Sequence, residues 1–319
     1  MKLGVSHQRP QDLNQERFDF LLSLGVEAIE VRLPSNEATR EHLEEIVSNV
    51  KGTGLELHEI MLVDLYNSTA AALNLPQRDE DIEFFKIFLK DLGELGIPHT
   101  TYAWHTGGMY QTHRDVTRGV PSRGFSTELA NAAPQEFDRS YEEDELWENY
   151  ERYIHEILPV AQAAGVKMQL HPNDPPMDHQ GVARLFKSTD SFRRAMQIAD
   201  QSVNSGILFC VGTWAEMTGP AGEGEDVAQA LREFGTAGQV HQVHMRNITT
   251  PLPDFTETFP DDGYLNLHAI MDVLIDIGFT GMIVPDHVPG DSDNALINEA
   301  FTLGYLRALI QYAKHKTGS

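Results

Sequence analysis

Cysteine is nearly absent: Cys210 is the only one in 319 residues, which excludes an internal disulfide framework. Basic residues are also scarce, 24 against 48 acidic ones, giving a formal net charge of −24. A surface of that sign repels phosphate backbones and anionic lipid, so nucleic-acid and membrane partners are not expected. An anionic substrate would then need a local positive centre, either a bound cation or a pocket arginine. No apolar run approaches the length of a bilayer span. The opening Met1–Ser6 has no charged segment leading into an apolar core, so a soluble, cytoplasmic protein is expected. The first strand pattern is not followed by Gly-x-Gly-x-x-Gly, and the dinucleotide-binding fingerprint is therefore missing.

What is present is regular alternation. Apolar residues make up 41 % of the chain, enough for a sizeable core. Strand-like runs fall at residues 2–6, 28–33, 55–62, 100–104, 167–171, 206–212, 240–246 and 282–286. Helical patterns separate them. One spans Asp79–Leu95, with Ile82, Phe85, Phe88 and Leu92 near helical spacing, as a buried helix face requires. Another spans Asp144–Ala164 and is closed by Gly165, a good C-terminal cap. Strict alternation implies parallel strands joined by crossover helices. Eight units close a (β/α)8 barrel, and no linker divides residues 1–319, so one TIM-barrel domain is expected. Two long stretches read as irregular, His105–Tyr141 and Asn247–Tyr264. They follow the fourth and seventh strands, which puts them on the face where barrels build their active sites.

Four consecutive strands finish in His171, Cys210, His244 and Asp286. These side chains cover the usual donors for a divalent transition metal. Taken singly, each has an ordinary reading as a packed thiol, a hydrogen-bonded imidazole or a helix cap. Four such types at four successive strand ends are explained more economically by one shared ion. In the seventh strand Gln242, His244 and Arg246 share a face, so His244 and Arg246 can enter one site and His241 cannot. His287 lies next to Asp286, on the opposite phase or on the loop. His7, His105 and His113 also flank this face and could line a pocket or be solvated.

The segments around these residues resemble the mannonate dehydratase family, members of the xylose isomerase-like barrels. The resemblance is carried by Gln169–Pro176, Gly206–Trp214 (GILFCVGTW), Val243–Asn247, Phe255–Gly263 and Pro285–Pro289. It implies a divalent metal, usually manganese with zinc, cobalt and magnesium as alternatives, held by His171, Cys210, His244 and Asp286. It implies His287 as a catalytic residue, and loss of water from D-mannonate to give 2-keto-3-deoxy-D-gluconate. Family members carry a tyrosine in a Pro-Gly-Tyr-Gly-like segment after the Asp-His pair. Here Gly290–Leu296 contains none, and the next tyrosine is Tyr305 in a helical pattern. Pro260 stands where many relatives have histidine.

Such chemistry needs a base for the C2 proton and an acid for the departing C3 hydroxyl, with His287 expected in one of these roles. Arg246 is the expected partner of the substrate carboxylate, which a guanidinium matches bidentately. The alternative readings are a metal-dependent sugar or uronate isomerase or epimerase on the same barrel, and a non-catalytic sugar-acid binding protein with a structural metal. By analogy with barrel relatives, a homodimer is expected.

Overall fold

The computed structural model of the protein describes residues 1–219 and 223–318. It contains twelve strands: β1 (Lys2–Gln8), β2 (Ala28–Leu33), β3 (Glu56–Leu62), β4 (His99–Tyr102), β5 (His113–Thr117), β6 (Val120–Ser126), β7 (Lys167–Leu170), β8 (Ser205–Cys210), β9 (Val240–Met245), β10 (Asn247–Ile248), β11 (Asp254–Thr258) and β12 (Met282–Pro285). Eight of them close a parallel barrel in the order β1-β2-β3-β4-β7-β8-β9-β12. The fold is therefore the expected TIM barrel, with helices packed around it.

The helix ends follow from local chemistry, Gly165 acting as the sequence suggests. Ser188 caps the helix Thr189–Ile198 by accepting from the Ser191 amide, and Gly165 ends Glu143–Ala164 in the left-handed conformation. That conformation is easy for glycine because it has no Cβ. No helix among the described residues is long and apolar enough to cross a membrane.

The barrel interior is layered. Ala28, Met282 and Val284 form a small buried apolar cluster. A polar layer includes the Gln169 amide, which reaches Glu59 at 2.7 Å, Thr101 at 3.0 Å and Gln242 at 3.2 Å. Because β3, β7 and β9 are not all neighbours, these bonds must cross the lumen. In β9 the pairing steps from Ile207↔Val240 to Leu208↔Gln242. His241 is thus an extra, bulged residue. Above it, strict alternation sends Gln242 and His244 inward. His241 itself lines a separate cavity with Lys2, His58, His99 and Lys167.

The two stretches read as irregular are not irregular. They carry β5, β6, β10 and β11, which form one four-stranded sheet in the order β10-β11-β6-β5. Phe255 pairs with Phe125 in its ladder, and their rings stack at 5.7 Å. Each stretch forms a local pair, β5 with β6 and β10 with β11, and the β6–β11 ladder joins the two from distant parts of the chain.

Candidate active site

The four strand-end residues meet at the rim. His171 follows β7, Cys210 ends β8, His244 lies in β9 opposite Cys210, and Asp286 follows β12. One donor atom from each of His171, Cys210 and His244 lies within 4.8 Å of the other two. Asp286 touches two of the three: its carboxylate is 3.3 Å from Cys210 Sγ and 3.4 Å from His244 Nδ1.

Local structure aims these groups. His171 Nδ1 is 2.7 Å from the Pro172 carbonyl, so it carries the proton and leaves Nε2 with a free lone pair, a usual arrangement for a metal-ligating imidazole. His244 Nε2 lies 3.2 Å from the Gln242 amide, whereas its buried Nδ1 makes no well-aligned hydrogen bond, its nearest polar neighbour being the Asp286 carboxylate at 3.4 Å. An orphaned buried nitrogen is costly, and a bound cation would satisfy it. Cys210 caps the short helix Val211–Glu216, its sulfur accepting from the Thr213 amide at 3.4 Å and hydroxyl at 3.1 Å. That helix is anchored by the fully buried Trp214, whose ring stacks on Phe209 at 4.0 Å; burying a side chain of that size contributes roughly 2–3 kcal/mol. Burial, together with Asp286 and Asp174, pushes the Cys210 thiol up. Burial also pushes Asp286 up, but His287, His244 and Arg246 outweigh it and hold the carboxylate well below its usual range.

Two imidazoles, a thiol and a carboxylate fit a divalent transition metal. A second cluster, Asp174, Glu257 and His287, is equally tight, but its carboxylates already face Arg123 and Arg246, two fixed positive charges that disfavour a cation there.

Arg246 is only 1 % exposed and is enclosed by carboxylates. It donates to Asp286 at 2.9 Å, Glu216 at 2.7 Å and Asp174 at 2.7 Å, and lies 3.2 Å from Glu257. Arg123 completes the network, bonding Asp174 at 2.6 Å and Glu257 at 2.9 Å. Gly212 is required by this arrangement: an ideal Cβ there would lie 2.2 Å from Arg246 Cγ. The backbone motif Cys210-Val211-Gly212-Thr213 thus supplies a sulfur, a gap and a hydroxyl in four residues.

A cavity of about 220 Å³ opens onto His171, His244 and Asp286, with Cys210 buried beside them. Its walls include His7, Arg32, Tyr66, His105, Tyr110 and His287. His287 and His7 both adopt positive φ, 43° and 61°; such backbone conformations are uncommon outside glycine and concentrate at functional sites. His287 Nδ1 lies 2.8 Å from Glu257. Burial pulls the His287 pKa down, but Asp286 and Glu257 prevail and hold it above its ordinary value. His105 is pushed down to about 3 by burial and by His171, so it is neutral. His113 lies instead in β5, its ring packed over Gly124. Tyr305 sits in the last helix, Ala295–Thr317, against the core.

Several residues of this site gave no signal of their own in the sequence. Arg123 and Glu216 stand in unremarkable surroundings, Asp174 and Glu257 fall within segments that carry the family resemblance but with no role assigned, and the four are joined only by the fold. Arg32, in β2, is half-buried in the cavity wall, and among the described residues no carboxylate forms an ion pair with it.

A closed parallel barrel with a polar cavity, a metal-type donor cluster and a histidine held beside it on its C-terminal rim defines a xylose isomerase-like barrel enzyme. A sequence profile of the family described as D-mannonate dehydratase (UxuA) matches residues 110–316, and the chain belongs to that family, a family of hydro-lyases. It is 29 % identical over 278 residues to mannonate dehydratase 2 of Halalkalibacterium halodurans, covering 78 % of each chain. It is 27 % identical over 311 residues to the mannonate dehydratase of Oceanobacillus iheyensis, covering 86 % of this chain and 85 % of that one. The crystal structure of mannonate dehydratase from Streptococcus suis serotype 2 superposes with a TM-score of 0.85 at 24 % identity, over 100 % of this chain and 96 % of that one. A D-psicose 3-epimerase from Clostridium cellulolyticum H10 shares the fold at a TM-score of 0.64 and 16 % identity.

Proposed function

We propose that this hydro-lyase removes water from D-mannonate or a close hexonate, giving 2-keto-3-deoxy-D-gluconate or its analogue, and that His171, Cys210, His244 and Asp286 hold a divalent metal, manganese first, for the purpose. The observation that carries the reading is the convergence of those donors, three of them lining a cavity whose wall also holds His287. When bound, such an ion acts as a Lewis acid that disperses the negative charge developing on the substrate carboxylate.

The chain's own residues divide the remaining work. Arg32 is the guanidinium open to the cavity, and in this reading it pairs with the substrate carboxylate. Arg246 is saturated by carboxylates and acts by orienting Asp286, in place of the substrate-binding role its strand position suggests. His287 carries one of the two proton transfers; the Nδ1 contact with Glu257 fixes its ring and leaves Nε2 to exchange a proton. Against the pull of burial, Asp286 and Glu257 raise the His287 pKa, which makes the imidazole the stronger base.

The test is to load the protein with manganese, offer a panel of hexonates and assay for a 2-keto-3-deoxy acid. Formation of that product from D-mannonate is expected. A product of unchanged mass would point to isomerisation or epimerisation, and no turnover of any hexonate would overturn the reading.

A further inference from the structure

We propose that Tyr110 is the second proton-transfer group of the site: it protonates the departing C3 hydroxyl while His287 takes the C2 proton. The inference rests on the dehydratase reading above.

The geometry that points to it is local. Tyr110 comes from the segment between β4 and β5, more than 170 positions from His287 in the chain, yet its hydroxyl lies 2.7 Å from His287 Nδ1 and 3.0 Å from Nε2. Because Nδ1 is also 2.8 Å from Glu257, Nε2 is the nitrogen left to share a proton with the phenol. The tyrosine ring is not adrift. The Arg123 guanidinium lies over it, 3.7 Å from the centroid, and Arg123 Nε donates to the Tyr110 carbonyl at 2.8 Å. Arg123 is itself pinned by Asp174 and by Glu257, the same carboxylate that holds His287. One buried ion-pair network therefore sets the position of both hydrogen-bonded groups. The phenol also lines the cavity that contains His171, His244 and Asp286.

The chemistry suits the two groups. A phenol with an ordinary pKa near 10 carries its proton at neutral pH, so it has one to give. Burial and Glu257 push the Tyr110 phenol well above its ordinary value, so it holds its proton until the substrate takes it, while Arg123 over the ring pulls the other way and eases formation of the phenolate. The C2–H bond breaks and its proton goes to His287. Its electron pair is first held as an ene-diolate over C2 and the carboxylate; it then becomes the C2–C3 double bond as the C3–O bond breaks, and the hydroxyl leaves with the Tyr110 proton as water. His287 then carries one proton too many and Tyr110 one too few. The hydrogen bond between them returns the proton and restores the pair, so no outside acid or base is consumed. The enol released tautomerises to the 2-keto-3-deoxy acid.

Tyr110→Phe is the discriminating variant, since it keeps the ring beneath Arg123 and removes only the hydroxyl. In the manganese-loaded protein, dehydration is expected to fall by about 10²–10⁴-fold, the usual worth of a positioned acid. Exchange of the substrate C2 proton with deuterated solvent should persist within several-fold of wild type, because His287 still acts. A 3-deoxy-3-fluoro hexonate, whose fluoride leaves without prior protonation, should lose less than about tenfold, since it escapes most of the acid-catalytic term. Dehydration within about threefold of wild type would overturn the proposal. So would equal losses on the hydroxyl and fluoro substrates, which would make Tyr110 only a support for His287. Failure of the wild-type protein to dehydrate any hexonate would instead remove the parent reading and this proposal with it.

Discussion

Replacing Arg246 by methionine separates its two readings, carboxylate clamp for the substrate or keystone of the buried network. The guanidinium meets Asp286, Glu216 and Asp174 at 2.9, 2.7 and 2.7 Å. The four neighbouring carboxylates do not lose equally when it goes. Burial and the Asp174 charge push Glu216 up to about 8, so at neutral pH it is mostly protonated and suffers little. Asp174 and Glu257 keep Arg123. Asp286 loses its only guanidinium while remaining buried. Breaking a buried ion pair on one side costs about 3–5 kcal/mol. With an unfolding entropy of roughly 2 cal/mol/K per residue, that lowers the Tm of a chain this long by about 5–8 °C. The assay is thermal denaturation of metal-free Arg246→Met followed by far-ultraviolet circular dichroism. Adding manganese should recover part of the loss by supplying a positive charge beside Asp286. Arg32→Met is the companion variant: it should melt with the wild type and raise KM for the hexonate. A metal-free Arg246→Met protein melting within about 2 °C of wild type, but with a raised KM, would refute the assignment and restore Arg246 to the substrate.

Three further outcomes can be checked. Gly212→Ala should destabilise by about 1–3 kcal/mol, the usual range for overpacking, because a Cβ there meets Arg246 Cγ at 2.2 Å; a wild-type melting curve would show that the guanidinium has room to move. Cys210→Ser should weaken manganese binding by at least about tenfold, since even residues that only hydrogen-bond a metal ligand are worth about 10–100-fold; an unchanged isothermal titration would remove the sulfur from the donor set. Glu216→Gln should flatten the pH dependence of stability. The folded pKa of about 8 lies above the ordinary 4.5, so the contribution of Glu216 is fully present below about pH 4.5 and is lost as pH rises to about 8. Urea midpoints for wild type and variant should therefore diverge across that window, and parallel curves would contradict the assignment.

The barrel was legible because its signals are local. Period-two runs and helical spacing recur eight times, and Ser188 and Gly165 cap helices where their chemistry says they should. The donor cluster was legible for a related reason: in a parallel barrel, adjacent strand ends are neighbours in space, so His171, Cys210, His244 and Asp286 could be read together. Arg246 shows where that logic stops. Strand parity places it beside His244, but its surroundings come from Asp174 after β7, Glu216 at a helix end and Glu257 in β11, none predictable from spacing. The sheet of β5, β6, β10 and β11 escaped notice because its strands are short and largely polar, and because its two local pairs are joined only by the long-range β6–β11 ladder. Tyr110 and Arg32 were invisible for the same reason, being ordinary residues until the fold turns them toward a common space.

That four-stranded sheet ties two rim segments into a single piece. Thr256 is hydrogen-bonded to Asp115 across it, and Ser122 to the Glu257 carbonyl at 2.6 Å. The side of the cavity formed by Tyr110 and His287 is therefore backed by one plate, through Arg123 and Glu257, rather than by two independent arms. Grafting a different sequence into either arm would leave the other with a severed edge, so any change of substrate preference by loop exchange in this enzyme would have to replace both arms together.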